Sequence, residues 1–366
     1  MQQGFYDTVG ANAGERYSEM YNRFSSFWQP HLLANRAFVL ESARKVPNDS
    51  SVVVLGAGAA YDIPLAELAG QFRAVHLLDI DEKGLQSAAS SLPEQAGRIH
   101  CHVQDITGGR LAKLIQDGLS LVEQASDFDA ACSALVRLYE AYDDSPPNAV
   151  LKEMISDLVI SSGLSSQFRS LLGGALREVI RRRFAGQKIS PQTQTLYQQA
   201  FDKLRQRLIE QHAATLKGMV AEKGLVFWAD TVCESPFWGQ IPANEMAAVT
   251  QAIKNTATDP EWKLPHQWVF AIQNAPTMWD VLRLLSQIVQ LNLLNVEQAL
   301  QWIDQIRVSV EDHTTHAIAS VIPEAFESYI GNDLRLIQRK TWRWALKPIE
   351  LASMKVDACL FASDVG

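Results

Sequence analysis

The sequence lacks closely spaced cysteines. Its cysteines lie far apart and form no C-x-x-C pair; they are Cys101, Cys132, Cys233 and Cys359. This spacing favours neither a disulfide framework nor a thiolate metal site. Reduced thiols are typical of the cytosol, so we expect a cytoplasmic protein.

Long apolar runs and a surplus of positive charge are also missing. No segment reaches the about 18 uninterrupted apolar residues of a membrane span, and the first residues show no signal peptide, so no membrane association is expected. The 33 Lys and Arg residues are outnumbered by 41 Asp and Glu, for a net charge of -8. That balance argues against a nucleic-acid partner, which usually needs a basic face.

One stretch stands out in a chain of ordinary globular composition, 47% hydrophobic and 20% charged. Residues 51–55 form a β-branched apolar run, typical of a strand buried on both faces of a parallel sheet. Gly56 and Gly58 follow, where the chain can turn tightly and approach a ligand. Asp62 is a suitable helix N-cap, and Pro64 is tolerated in a first helical turn.

The rest of the chain continues this alternation of strands and helices. Three successive strand–helix units predict a parallel sheet with right-handed crossovers. We expect five strands before the long helical segment, then two closing strands; their ranges are 51–58, 74–81, 99–107, 157–163, 225–232, 334–346 and 354–362. Helices are expected at 62–70, 82–91, 110–142, 164–185 and 197–223, the last ended by Gly224.

Two ligand classes compete for the glycine turn. The dinucleotide fingerprint G-x-G-x-x-G/A places Tyr61 at its third small position, where bulk opposes close helix–strand packing. The looser G-x-G-x-G pattern of S-adenosylmethionine enzymes places Ala60 there. Asp79, at the end of the second strand, can accept hydrogen bonds from both ribose hydroxyls, which suits either ligand.

Taken in order, these motifs resemble class I S-adenosylmethionine-dependent methyltransferases. Residues 51–107 and 156–163 are similar to the core of that family, and the final residues to its sixth strand and antiparallel seventh strand. Val54 departs from the family, which often has an acid two residues before the first glycine. The implied fold is an α/β Rossmann-like sheet of seven mostly parallel strands with large helical insertions.

The resemblance also implies S-adenosylmethionine as cofactor and a set of residues that bind it. Asp105 would take the adenine amino group while Ile106 packs on the ring. The implied cofactor-binding residues are Leu55, Gly56, Ala57, Gly58, Asp62, Asp79, Ile80, Asp105, Ile106 and Ser161.

Catalytic residues are harder to select, because methyl transfer needs no obligatory triad. We select His31 as a possible base, Ser161 and Ser162 for the methyl site, and Trp228 for an aromatic acceptor pocket, with Trp238 beside it. His313 and His316 are three residues apart, but spacing supplies no third metal ligand, so no metal is expected.

We divide the chain into an N-terminal helical arm or lid (1–48), an α/β core (49–238) with insertions near 110–150 and 164–223, a helical subdomain (239–321) and closing elements (322–366). Deep insertions suit a small-molecule or peptide-sized acceptor. Two alternatives stay open: an NAD(P)-dependent oxidoreductase and a non-catalytic interaction module built on a cofactor fold.

Overall fold

A computed structural model describes residues 2–143, 154–234, 263–276, 278–291, 326–347 and 352–363, with a few isolated residues between 247 and 294. The framework is one seven-stranded sheet. Its strands are β1 (Ser51–Leu55), β2 (Ala74–Asp79), β3 (Ile99–Val103), β4 (Ser156–Ser162), β5 (Val220–Glu234), β6 (Arg335–Lys347) and β7 (Ala352–Ala362).

The strand order is β3-β2-β1-β4-β5-β7-β6. Strand β1 pairs in parallel with β2 and β4, and β4 in parallel with β5. Strand β7 lies between β5 and β6 and is antiparallel to both. This confirms the predicted fold class, a mostly parallel sheet with an antiparallel seventh strand.

Helices cover both faces of the sheet. They are α1 (Gln2–Ala43), α2 (Leu65–Gln71), α3 (Glu82–Ser90), α4 (Arg110–Gln124), α5 (Phe128–Glu140), α6 (Ser165–Arg183), α7 (Pro191–Met219), α8 (His266–Gln273), α9 (Met278–Gln290) and α10 (Phe326–Ile330). Short 3₁₀ helices occur at Pro93–Arg98 and Gly331–Asp333.

The alternation of side chains along the strands creates two cores. Val52 and Val54 face a core shared with α1, α2 and α3. Val53 and Leu55 face a second core shared with helices α4 to α7. Burial on both faces explains why these strands are continuous apolar runs rather than alternating ones.

Helix α1 occupies most of the range predicted as a helical arm (1–48). It has 42 residues and bends at Phe24, where φ is −127° and ψ is 22°. Its C-terminal half docks on β6, where Lys340 contacts the Glu41 carboxylate and lies 4.7 Å from the centre of the Phe38 ring.

Three local expectations were wrong. Asp62 does not cap α2, because the helix begins three residues later and the residue preceding it is Pro64. Gly224 does not end α7, which runs directly into β5 at Val220. The helix expected over 110–142 is interrupted, because the Asp127 carboxylate accepts a hydrogen bond from the amide of Ala130 and starts a new helix.

The domain boundaries stay a prediction, because most of 239–321 lies outside the described residues. Within the described ranges, none of the helices combines the length and apolar content needed to cross a bilayer. The same ranges contain no group of three or more His, Cys, Asp or Glu residues placed to hold a metal ion. Trp238, His313 and His316 lie outside them.

Candidate functional site

The glycine turn lies at the carboxyl end of β1, at the centre of the sheet. Gly56 and Gly58 have φ angles of +67° and +47°, which favour glycine. A Cβ atom on Gly84 of α3 would lie 2.9 Å from the carbonyl carbon of Gly58. Helix α3 therefore packs directly against the turn, and Gly84 is a site residue that the sequence motif did not identify.

Asp79 ends β2 beside this turn. One carboxylate oxygen accepts a hydrogen bond from the amide of Gly58 at 2.7 Å, and the other from the amide of Asp81 at 2.9 Å. Burial is the largest influence and raises the pKa of Asp79. Each oxygen keeps a further acceptor position, so the carboxylate can still receive two ligand hydroxyls.

An apolar hollow of about 70 Å³ lies on the β3 side of Asp79. Asp105 is at its edge, and its carboxylate accepts hydrogen bonds from the amides of Thr107 and Gly109, both at 2.7 Å. These bonds shape the turn into α4. The apolar lining of the hollow comes from several elements and consists of Ile80, Ile106, Leu111, Ala112, Ile115, Leu164, Phe168 and Leu171.

A larger cavity of about 140 Å³ extends from the glycine turn in the other direction. It shares lining residues with the hollow, among them Gly56, Asp79 and Ile80, so the two lie side by side over the strand ends, and together we call them the cleft. We call the larger part the main cavity.

Helix α1 covers the main cavity, and its residues Gly14, Tyr17 and Ser18 form part of the lining. Tyr61 of the glycine turn stacks on Tyr21 at 4.0 Å between ring centres, and its hydroxyl donates to the Ser18 hydroxyl at 3.1 Å. The bulky residue in the motif therefore contacts the covering helix. It lies four residues before α2, in the turn and not in the helix that packs on the strands.

Asp62 and Ser162 meet on the floor of the main cavity. The Ser162 hydroxyl donates to the Asp62 carboxylate at 2.6 Å, and the Asn35 amide donates to the same oxygen at 3.2 Å. Burial is the largest influence and raises the pKa of Asp62. The structure therefore brings together two predicted site residues from β4 and the glycine turn, with a third polar partner from α1.

Asp230 of β5 is a further acid in the main cavity, and it is buried directly after Ala229, where the pairing of β5 with β4 ends. Its carboxylate accepts hydrogen bonds from the amides of Ser166 at 3.0 Å and Thr231 at 2.7 Å. Burial is the largest influence and raises its pKa. Asp230 was not among the predicted site residues, although it lies near the end of the predicted strand 225–232, just as Asp79 and Asp105 lie near the ends of theirs.

Aromatic rings line the side of the main cavity that faces β6. Trp28 meets Trp344 edge-on, with 5.3 Å between ring centres, and His31 stacks on Trp344 at 4.3 Å. Tyr17 meets Trp28 edge-on at 6.0 Å. We call these four residues the aromatic wall.

His31 does not have the environment of a general base. Its Nδ1 atom accepts a hydrogen bond from the indole N–H of Trp342 at 2.8 Å, so the neutral ring carries its proton on Nε2. Burial lowers the pKa of His31 to about 3. The ring is therefore a neutral hydrogen-bond donor beside the cavity, and its predicted role as a base is corrected.

Three other predicted site residues do not line either part of the cleft. Leu55 and Trp228 are completely buried in the second core. The Trp228 indole N–H donates to the Ser165 hydroxyl at 3.0 Å, and the buried Ser161 hydroxyl lies 2.9 Å from Nε2 of His212. Side chains alternate along a strand, so Ser161 and Trp228 face the core, while their neighbours Ser162 and Ala229 line the main cavity.

The sheet is parallel from β3 to β5 and is closed by a sixth strand and an antiparallel seventh strand inserted beside β5, with the glycine turn at the end of β1. The chain has the class I methyltransferase fold. No protein-family model and no curated protein sequence matches it.

Several solved structures are similar at low identity. A protein of echinomycin biosynthesis, where a disulfide bond is converted into a thioacetal group, is 12% identical with a TM-score of 0.37, covering 96% of this chain and 93% of that one. Coclaurine N-methyltransferase bound to N-methylheliamine and SAH is 10% identical with a TM-score of 0.36, covering 90% and 72%. TehB from Haemophilus influenzae is 9% identical with a TM-score of 0.37, covering 90% and 62%.

The groups of the site follow one another in the order of the strands. From β3 to β6, the cleft presents first the apolar hollow, then Asp79, the glycine turn, Asp62 with Ser162, and finally Asp230 with the aromatic wall. An elongated ligand lying across the strand ends would meet these groups in that sequence.

Proposed function

We propose that this protein is an S-adenosylmethionine-dependent methyltransferase that acts on a small-molecule or peptide-sized acceptor. The observation that carries the proposal is the series of groups over β3, β2, β1 and β4, in which an apolar hollow, a ribose-type carboxylate and a glycine turn follow one another. The groups present match the chemistry of the cofactor along its length.

The fit can be followed residue by residue. The hollow between Ile80 and Ile106 suits adenine, and Asp105 at its edge can accept from the amino group. Asp79 suits the ribose hydroxyls. The Asp62 carboxylate, beyond the glycine turn, suits the ammonium group of the methionine part.

Bound S-adenosylmethionine would supply an electrophilic methyl group on a sulfonium sulfur. The protein's part is to orient an acceptor in line with that group and to exclude water, which can account for much of the rate. Helix α1 performs the exclusion by covering the main cavity with Tyr17 and Ser18. The Ser162 hydroxyl and the Nε2–H of His31 are polar groups available for orientation.

The oxidoreductase alternative requires a place for a pyrophosphate. In dinucleotide folds that group lies at the N-terminus of the helix after the glycine turn. Here α2 begins only at Leu65, seven residues after Gly58, and the residues that line the described cleft include no Lys or Arg. Both facts favour S-adenosylmethionine over NAD(P).

Calorimetry separates the alternatives. S-adenosylhomocysteine and NAD(P)H are titrated into the wild-type protein, Asp79→Ala and the surface control Asp117→Ala, with thermal unfolding recorded for each. We expect S-adenosylhomocysteine to bind the wild type and the control, and to bind Asp79→Ala about 10- to 100-fold more weakly, the loss expected for hydrogen bonds to a charged group.

Each other result has a definite meaning. Binding of NAD(P)H alone would establish the oxidoreductase alternative. Binding of neither ligand by a folded wild-type protein would leave the non-catalytic interaction module as the explanation.

A further inference from the structure

The end of the main cavity near β5 lies outside the part proposed to bind the cofactor, which extends from β3 to β4. Asp230 lies in β5 directly after Ala229, the last residue of β5 that pairs with β4, and β5 is separated from β1 by β4 alone. Neighbouring strands are about 4.8 Å apart, so Asp230 lies about 10 Å along the sheet from the glycine turn, on the side away from Asp79. This region is where an acceptor would lie next to a cofactor that occupies the strand ends from β3 to β4.

Among the described residues that line the main cavity, the charged ones are all acidic. Its described lining includes Asp62, Asp79, Asp81 and Asp230, but neither Lys nor Arg. His31 is neutral there, because burial lowers its pKa to about 3. These carboxylates would repel a carboxylate or phosphate acceptor and attract a cation.

The aromatic wall independently favours a cationic ligand. Faces of Trp and Tyr attract ammonium groups, most strongly where water is excluded. Trp28 and Trp344 are almost completely buried, at 2% and 8% exposure. The Nε1–H of Trp344 is also buried and has no hydrogen-bond partner among the described residues, which is rare in folded proteins and indicates a ligand that accepts a hydrogen bond here.

We propose that the methyl acceptor is a small amine that binds as an ammonium ion between the Asp230 carboxylate and the aromatic wall, and that it also carries an oxygen able to accept from Trp344. This inference rests on the proposed methyltransferase function and adds the acceptor class to it.

An ammonium nitrogen has no lone pair and cannot act as a nucleophile until it loses a proton. In the proposed site one N–H bond breaks and the proton passes to an oxygen of Asp230, which becomes a neutral carboxylic acid. Burial raises the pKa of Asp230, which favours its holding that proton. The nitrogen keeps the electron pair of the broken bond and becomes a neutral amine.

Calorimetry on protein saturated with S-adenosylhomocysteine tests the acceptor class. The probes are three molecules of similar shape that differ in charge: tyramine, the neutral alcohol 4-hydroxyphenylethanol, and the anion 4-hydroxyphenylacetate. Butylamine is a fourth, smaller cation. We expect tyramine to bind at least about tenfold more tightly than the alcohol, and the anion not to bind.

Variants locate the cation. Asp230→Asn should lower the affinity for tyramine at least about tenfold, while the affinities for the alcohol and for S-adenosylhomocysteine stay unchanged. Trp344→Leu removes part of the aromatic wall and should lower tyramine affinity about 3- to 30-fold. Asp157→Asn is the matched control. The Asp157 carboxylate accepts a hydrogen bond from the amide of Ser51 at the amino ends of β4 and β1, away from the cleft, so this substitution should change neither affinity.

The outcomes distinguish this inference from the function it rests on. Failure of S-adenosylhomocysteine to bind the wild type refutes the methyltransferase proposal itself. If S-adenosylhomocysteine binds but neither amine does, or the anion binds as well as tyramine, the amine proposal is wrong and the cofactor site stands. Equal tyramine affinity in the wild type and Asp230→Asn likewise refutes it.

Discussion

Acid should destabilise this protein through a histidine of α7 that is buried in its neutral form. Nε2 of His212 lies 2.9 Å from the Ser161 hydroxyl, and the ring is packed edge-on against Phe168 and Trp228 at 5.6 and 5.7 Å between centres. Its Nδ1 atom is buried and finds no hydrogen-bond partner in the described part of the chain. Burial therefore disfavours the imidazolium and lowers the pKa of His212 from 6.5 to about 3.

The direction and size of the effect follow from the two pKa values. The unfolded chain binds the proton near pH 6.5 and the folded protein only near pH 3, so stability is complete above about pH 7 and is lost as the pH falls. Between pH 7.5 and pH 5 one such histidine costs about 2 kcal/mol of unfolding free energy. His31, with the same shift, should add a similar loss.

The substitution His212→Leu removes one of these two titrations. Urea unfolding at pH 7.5 and pH 5 should show that the variant loses about 2 kcal/mol less than the wild type between the two pH values. At pH 7.5 the variant should be less stable by about 1–3 kcal/mol, because the buried Ser161 hydroxyl loses its partner. His266→Leu, at an exposed position, is the control and should follow the wild type.

Equal losses in the wild type and His212→Leu would refute the reasoning. The imidazole would then accept its proton as readily in the folded protein as in the unfolded chain.

Two further substitutions test the assignment of residues to the site and to the core. Gly14→Leu places a Cβ atom 1.9 Å from a carboxylate oxygen of Asp81, so it should displace the covering part of α1 and weaken S-adenosylhomocysteine binding at least about tenfold by calorimetry. Unchanged affinity would contradict the covering role, and the exposed Glu19→Leu on the same helix is the control. Trp228→Phe leaves the Ser165 hydroxyl without its donor and should cost about 2 kcal/mol in urea unfolding, with S-adenosylhomocysteine affinity unchanged. If the variant instead lost affinity for S-adenosylhomocysteine while its unfolding free energy stayed unchanged, Trp228 would belong to the binding site.

The sheet could be predicted from the sequence because each strand and turn is marked by residues that are close together in the chain. Residues 51–55 are apolar on both faces of a strand, and Gly56 and Gly58 mark the turn that follows. The carboxyl ends of parallel strands meet at one edge of the sheet, so Asp79 could be predicted to lie near the turn without knowledge of any tertiary contact. The role of Asp105 came from the resemblance to methyltransferases.

The acceptor end of the cleft could not be predicted in this way. Tyr17, Asp230 and Trp344 come from α1, β5 and β6, and no periodicity connects positions so far apart in the chain. A strand-end acid was the only local signal, and it applied to Asp230 as well as to Asp79. Among the tryptophans, only the register of the strands decides that Trp228 enters the core while Trp344 lines the main cavity.

Asp62 illustrates how a local rule is overridden by tertiary contacts. An acid two residues before a proline is a favourable N-cap in isolation. The folded chain instead uses its carboxylate to bind Asn35 and Ser162, which are distant in sequence. The amide of Asn35, supplied by α1, stabilises the Asp62 carboxylate away from the helix end. The residues next to Asp62 in the sequence do not predict that contact.

The position of β7 has a consequence for the order in which the molecule is assembled. Among the seven strands it is the last to leave the ribosome, yet it lies between β5 and β6. Until it arrives, β5 presents an unpaired edge rich in apolar residues and β6 has no neighbour in the sheet. Such an edge is a template for intermolecular pairing. Nascent chains that stall before residue 352 should therefore aggregate, while release of the final strand closes the sheet in a single late step.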